Sequence, residues 1–311
     1  MKQVFKQYRA VAAMLAAILL LAVGLTVLTG GFSFGSEQAD GKTVLATTYP
    51  IYVAAQNILG DDTSVTLHRL DGVASGCLHD YQLSPADRRR AQEADLILMN
   101  GAGAESFLHG LIEESKCVDT SANLDLLCAE HEHDHAEGDH HHEEAYNEHI
   151  WLSPARYVKQ VEAVLKALCI LNPEMTAVYE GNAYTYYRKI DRIAFEVETY
   201  RRALRGKPCI LFHDSMSYLA ADLGLDVKLT LSVEGESGLS AADLRQVEAL
   251  AAEFPDLLLF YDGQYPQRYD GVGGTAVVLN TAVIGEGTAD DWLTAMQHNM
   301  KQIQKVTGVS P

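Results

Sequence analysis

From Asn172-Pro173 to Leu204 the chain keeps helical patterning for over thirty residues, roughly 48 Å at 1.5 Å of rise per residue. A helix of that length exceeds what a small α/β unit needs. A second amphipathic helix, Pro154 to Leu168, stands just before it. On either side, short apolar runs alternate with helical stretches. Lys42 to Thr47, Ser64 to Leu70 and Asp95 to Met99 read as strands on the N-terminal side. Cys209 to Phe212, Asp226 to Leu231, Leu257 to Tyr261 and Ala276 to Leu279 read as strands on the C-terminal side. Pro85 to Glu93, Ala241 to Glu253 and Asp290 to Val306 read as helices, the first opened by the Ser84-Pro85 cap. Alternation of this kind predicts an α/β fold. The expected architecture is two lobes with mainly parallel sheets flanked by helices, joined by one long spine helix. The lobes fall at 42–171 and 206–311, with the spine at 172–205. Tyr179, Tyr184, Tyr186 and Tyr187 line the spine and are expected to pack against the lobes.

The N-terminus constrains the compartment. Lys2, Lys6 and Arg9 form a positive region, followed by an uncharged run from Ala10 to Leu28. Ser33 and Gly35 suit the −3 and −1 positions of a cleavage site before Ser36. Residues 1–35 therefore read as an export signal, or as an uncleaved N-terminal membrane anchor given the length of the run, with 36–41 as a linker. Leu28-Thr29-Gly30-Gly31 has the outline of a lipobox, but Gly31 stands where the lipidated cysteine belongs, and no cysteine precedes Cys77. Periplasmic or cell-surface placement is expected.

Charge narrows the partners. The chain carries 42 acidic against 24 basic side chains, a formal charge of −18. That argues against a nucleic-acid backbone and suits a cation. Five cysteines in 311 residues make no disulfide scaffold. Cys117 and Cys128 are spaced for a bridge, and the odd total leaves at least one thiol unpaired within the chain.

Between Glu130 and Glu148 the texture changes. Six histidines (His131, His133, His135, His140, His141 and His142) are interleaved with eight carboxylates and no Lys or Arg. The segment has no apolar periodicity, so 130–148 reads as a mobile loop of the first lobe. Imidazoles among carboxylates suit loose, multi-site metal contact. Three further histidines sit where strands give way to loops: His79 before the Ser84-Pro85 helix, His149 before a helix start, and His213 after the run Cys209 to Phe212. Ligands of open α/β sheets bind at such strand ends.

These residues carry a resemblance. The chain resembles the zinc-specific solute-binding proteins of bacterial ABC importers, within a group that includes manganese binders and some proteins described as adhesins. The likeness covers about 42 to 306. Its markers are His79-Asp80-Tyr81-Gln82-Leu83-Ser84-Pro85, Asn100-Gly101-Ala102-Gly103-Ala104-Glu105, the acidic His-rich loop, His149-Ile150-Trp151-Leu152-Ser153-Pro154, Phe212-His213-Asp214, Glu234-Gly235-Glu236 and Met296-Gln297-His298-Asn299. The resemblance implies two α/β lobes bridged by a long helix, with metal ligands on His79, His149 and His213. It also implies an aspartate ligand after a late strand, where this chain has Asn280. An amide is a weak neutral ligand, so the fourth position stays open between water, Asn280, a loop histidine and Cys77, whose thiolate would suit zinc. Asp80 and Asp214 each follow a proposed ligand and are candidate orienters of its imidazole. Three imidazoles favour zinc over a harder ion such as manganese, whose binders in this group carry Glu in place of His213.

The expectation is a non-enzymatic, monomeric protein. It captures Zn(II) outside the cytoplasm and delivers it to an ABC permease and its ATPase. Three readings compete with it: a manganese or iron importer, an adhesin or zinc buffer without a transporter, and a three-histidine zinc hydrolase. The hydrolase finds no H-E-x-x-H helix and no clear general base in the sequence.

Overall fold

The computed structural model describes residues 41–70, 81, 83–129, 145–231, 233, 238–263 and 272–310. The signal or anchor segment, Cys77, His79, Asp80, Glu234 to Glu236 and the six histidines from His131 to His142 lie outside the described residues.

Among the described residues, two four-stranded sheets carry the fold. In the first, β1 (Lys42–Ala46), β2 (Val65–Arg69), β3 (Leu96–Met99) and β4 (Cys117–Asp119) pair in the order β2-β1-β3-β4. In the second, β5 (Pro208–Leu211), β6 (Asp226–Thr230), β7 (Leu258–Asp262) and β8 (Thr275–Leu279) pair in the order β6-β5-β7-β8. Every pairing is parallel. The two sheets thus repeat one topology, and the expected α/β class with parallel sheets is what the chain adopts.

Strand composition explains the parallel arrangement. Parallel sheets are covered on both faces, so their strands are apolar throughout rather than alternating. β1 and β7 each divide their residues between two cores. Val44 and Ala46 of β1 face the main core, while Leu45 joins Ile97, Ala91 and Leu108 on the opposite face. Likewise Leu258 and Phe260 of β7 face the main core, while Leu259 and Tyr261 join Ile210, Phe212 and Val247. This is the period-two alternation of a pleated strand. The edge strand β4 is only three residues long and none of it is fully buried, which leaves no hydrophobic signature to read.

Helices cover the sheets: α1 (Tyr49–Leu59), α2 (Pro85–Glu93), α3 (Pro154–Leu171), α4 (Thr176–Leu204), α5 (Ser217–Asp222), α6 (Ala241–Glu253) and α7 (Asp291–Thr307). The spine is α4, about 43 Å long. It is preceded by a separate 3-10 turn, Pro173–Met175, rather than starting at Asn172. The reason is Pro173, which disfavours helical backbone at the residue before it. Asn172 accordingly sits at φ −132°, ψ 77° and ends α3. The buried stripe of α4 is Tyr179, Ala183, Tyr186, Ile190, Ile193, Val197, Tyr200 and Leu204, in steps of four and three. Tyr184 lies off that stripe and is exposed, so it does not pack as expected.

Serines set three helix starts. Ser84 Oγ accepts the Asp87 N–H at 3.1 Å and Ser153 Oγ accepts the Arg156 N–H at 3.3 Å. At α6, Ser240 and Asp243 cap each other reciprocally. Replacing Ser240 with alanine is expected to lower stability by about 1 kcal/mol, read as a lowered urea midpoint without a change in slope.

The cysteines are not paired among the described residues. Cys117, Cys128, Cys169 and Cys209 are all free, so no Cys117–Cys128 bridge forms. Cys117 lies in β4, whereas Cys128 pairs its backbone with Tyr146 across the base of the His-rich segment. That pairing also corrects the loop boundary. Ala129 N–H donates to Ala145 O and Asn147 N–H to Leu127 O, both at 2.8 Å, so the expected mobile loop does not extend to residue 148. Asn147 and Glu148 are buried.

Candidate metal centre

His213 follows directly from the sheet. The Phe212 N–H extends the β5 ladder to Phe260 O at 3.0 Å, and His213 leaves the strand in extended conformation. It then caps the turn Asp214–Met216, its ring Nδ1 accepting the Ser215 N–H at 3.0 Å. His149 caps a second turn, Ile150–Leu152, just ahead of α3. Its N–H donates to Asn147 Oδ1 at 2.9 Å, and its ring Nδ1 lies 3.2 Å from the same oxygen. An amide oxygen only accepts, so this contact puts the ring proton on Nδ1 and the lone pair on Nε2. The orientation of the Asn147 amide is fixed from its other end, where Nδ2 donates to Asp214 O at 2.9 Å.

The structure brings the two histidines together from opposite halves of the chain. Their ring centroids are 5.5 Å apart with the rings perpendicular, and each residue is only 2% exposed. The Asp214 carboxylate joins them, with Oδ1 at 3.2 Å from His213 Nδ1 and 3.9 Å from His149 Nδ1. One donor atom from each of the three lies within 4.8 Å of the others. Tetrahedral zinc at about 2.0–2.1 Å from its ligands needs donors about 3.3 Å apart, closer than that bound. Two imidazoles and a carboxylate form a donor set suited to a borderline divalent cation. The protein's strongly acidic balance adds a favourable field for one.

The tautomers of the two rings differ. Nδ1 of His213 is an acceptor towards Ser215, which places its neutral-state proton on Nε2. Offering Nε2 to a cation requires that proton to leave; with the proton moved to Nδ1, the Ser215 N–H bond is given up and Asp214 Oδ1, at 3.2 Å, accepts the new N–H. Asp214 Oδ1 thus stands within reach of the imidazole it follows in sequence. Its reach towards His149 as well was not legible from sequence.

Asn280 sits at the carboxyl end of β8. Its Oδ1 accepts the Ala282 N–H at 2.8 Å, while its backbone is held by Asn299 on both sides, at 2.7 and 2.9 Å. The amide oxygen therefore serves a local turn. The neighbouring Thr281 carbonyl accepts the Trp151 Nε1 proton at 2.7 Å, and the Trp151 ring lies 5.3 Å from that of His149. The end of β8 is thereby fastened to the turn that carries His149. His79, Cys77, Asp80 and the loop histidines lie outside the described residues.

Two positioning residues escaped the sequence reading. Asn147 has no periodicity to betray it and sits within the acidic segment. Asn100 ends β3, and its Nδ2 donates to Glu148 O at 2.9 Å, next to His149. Its signal was its place in the Asn100–Glu105 marker.

Comparison with known proteins shows a family. A family model described as zinc-uptake complex component A, periplasmic, matches residues 44–306. Zinc-binding lipoprotein AdcA of Streptococcus pneumoniae serotype 4 is 26% identical over 290 residues, covering 87% of this chain and 57% of AdcA. The chain therefore spans little more than half the length of that relative. High-affinity zinc uptake system protein ZnuA of Yersinia pestis is 28% identical over 209 residues, covering 60% of this chain and 65% of ZnuA. Among solved structures, FpvC of Pseudomonas aeruginosa in complex with Mn2+ superposes with a TM-score of 0.71 at 20% identity, covering 86% of this chain and 98% of that one. The last likeness speaks for the fold alone.

Proposed function

The chain belongs to the family of periplasmic zinc-uptake complex A components, and from that premise we propose that it captures Zn(II) outside the cytoplasm and delivers it to an ABC permease driven by its ATPase. The observation that carries this reading is the convergence of His149, His213 and Asp214, one donor atom from each within 4.8 Å of the others. The cargo is held by His149 from the N-terminal half and His213 from the C-terminal half, with His79 as third imidazole. Water, Asn280, a histidine of the loop or Cys77 completes the shell, while Asp214, and Asp80 beside His79, orient the imidazoles. The ligands span two α/β lobes, and α4 along their back limits closure to a small motion. The histidines from His131 to His142 gather zinc loosely. The chain acts as a binding protein, not an enzyme. It reaches its compartment through the leader, residues 1–35. Among the described residues no helix is long and apolar enough to cross a membrane.

A second reading, manganese capture, is favoured by the oxygen donor of Asp214. Competition separates the two. Zinc is expected to displace manganese at one site per chain in a chelator-competition titration, and its affinity is expected to fall as pH drops through about 6.5, where an ordinary imidazole takes up a proton. The sign follows from the chemistry: only the neutral ring offers a lone pair, so protonation competes with the metal. Preference for manganese, or an affinity unchanged from pH 7.5 to 5.5, would sink the three-imidazole account.

A further inference from the structure

Glu105 is a carboxylate in an unusual place. It is 1% exposed, behind the carboxyl ends of β1 and β3. Its Oε1 accepts from Thr47 Oγ1 at 2.6 Å and from the Asn100 N–H at 2.7 Å, and its Oε2 accepts the Gly101 N–H at 3.1 Å. Burial pushes its carboxyl up to about 7, Asp119 adds in the same direction, and the three donors pull the other way. A carboxylate so placed is costly to bury, and these three hydrogen bonds offset part of that cost.

What the carboxylate holds is the Asn100-Gly101 backbone. Gly101 has φ +86°, and a Cβ there would meet Asp119 Oδ1 at 1.9 Å and Ser121 Oγ at 2.2 Å, so the turn has a single tight path. Asn100 is fully buried. Its Oδ1 accepts from Gln160 Nε2 at 3.1 Å, and its carbonyl accepts from Thr120 Oγ1 at 3.1 Å. Its Nδ2 donates to Glu148 O at 2.9 Å. That carbonyl belongs to the peptide bond joining Glu148 to His149, whose N–H end is bound by Asn147 Oδ1. The peptide plane that launches His149 is therefore clamped at both ends.

We infer that Glu105 is a positioning residue of the metal centre: it fixes the Asn100-Gly101 backbone so that the Asn100 amide clamps the Glu148–His149 peptide and aims the imidazole. This rests on the metal-binding reading above. Glu105 touches no metal; it acts through Asn100, which directly follows β3, while Glu105 itself stands at the start of the turn Ser106–Leu108.

The test uses the full chain with zinc competition, visible spectra with Co(II) as probe, and thermal melts. The variants are Glu105→Gln, Asn100→Ala, the double variant, and Val247→Ala as a control in the core on the far face of the second sheet. Each site variant is expected to weaken zinc about 10-fold and to alter the Co(II) bands. The double variant is expected to be no weaker than either single one, because both break the same clamp. Val247→Ala is expected to lower Tm while leaving affinity and spectrum unchanged. Wild-type affinity and spectrum in Glu105→Gln, or additive losses in the double variant, would overturn the inference. Should Glu105→Gln not fold, Asn100→Ala alone decides, since it removes the clamp and leaves the carboxylate; an unaltered spectrum there refutes the clamp. A wild-type chain that binds no stoichiometric zinc overturns the metal reading itself, and with it this one.

Discussion

His213→Ala is expected to abolish tight zinc binding while the fold survives. The ring is 2% exposed and is one of two imidazoles brought to the centre by the described residues. Losing an outer partner of a metal site costs about 10- to 100-fold in affinity. Losing a ligand should cost more, about 1,000-fold or ~4 kcal/mol of binding. The structural loss is smaller. His213 accepts the Ser215 N–H at the start of a short turn, a cap worth about 1 kcal/mol. Affinity and stability therefore separate: competition titration shows the large change and the melt a small one. Asp214→Asn falls between, because an amide oxygen at the Oδ1 position can still accept from Nδ1 but brings no charge. Removal of the His-rich segment should weaken capture less than His213→Ala. Equal losses would move the metal chemistry into that segment.

Trp292→Ala is the most damaging change away from the centre. Trp292 is 1% exposed and stacks on Tyr157 with ring centroids 4.3 Å apart. Tyr157 is itself fully buried and donates its hydroxyl to Pro50 O at 2.9 Å. The indole thus joins α7 near the C-terminus to α3 and α1. Truncating a buried Trp costs about 3–5 kcal/mol through lost transfer energy and the cavity left behind. At about 2–4 °C per kcal/mol for a chain of this size, Tm should fall by roughly 10 °C. Trp292 Nε1 also donates to Trp151 O at 3.0 Å, two residues from His149. Trp292→Phe keeps most of the stacking and removes only that donor. It should recover most of the stability and retain a smaller loss in zinc affinity. Full recovery of both would show that the indole bond does nothing for the centre.

Much of this architecture was legible because its signals are local. Ser84-Pro85, Ser153-Pro154 and Ser240 are caps with a fixed chemistry, and the helices that follow begin where those residues put them. The buried strands of both sheets are apolar on both faces and stand out against their neighbours. What stayed hidden has equally local reasons. The strand β4 has three residues at a sheet edge. The helix α1 buries eight of its eleven residues, which leaves no polar face to show a period of 3.6. At the centre, His149 and His213 were visible as histidines at strand and helix boundaries. Their meeting depends on contacts 64 residues apart in sequence, which no spacing encodes. Asn147, Asn100 and Glu105 act through single hydrogen bonds across the fold, and such bonds leave no pattern in a chain.

The most direct test of the central claim is anomalous diffraction at the zinc edge from crystals grown with one equivalent of Zn(II). A single strong peak bonded to the ring nitrogens of both His149 and His213 at about 2.0–2.1 Å is expected. A peak elsewhere in the molecule, with these two imidazoles unbound, would contradict it.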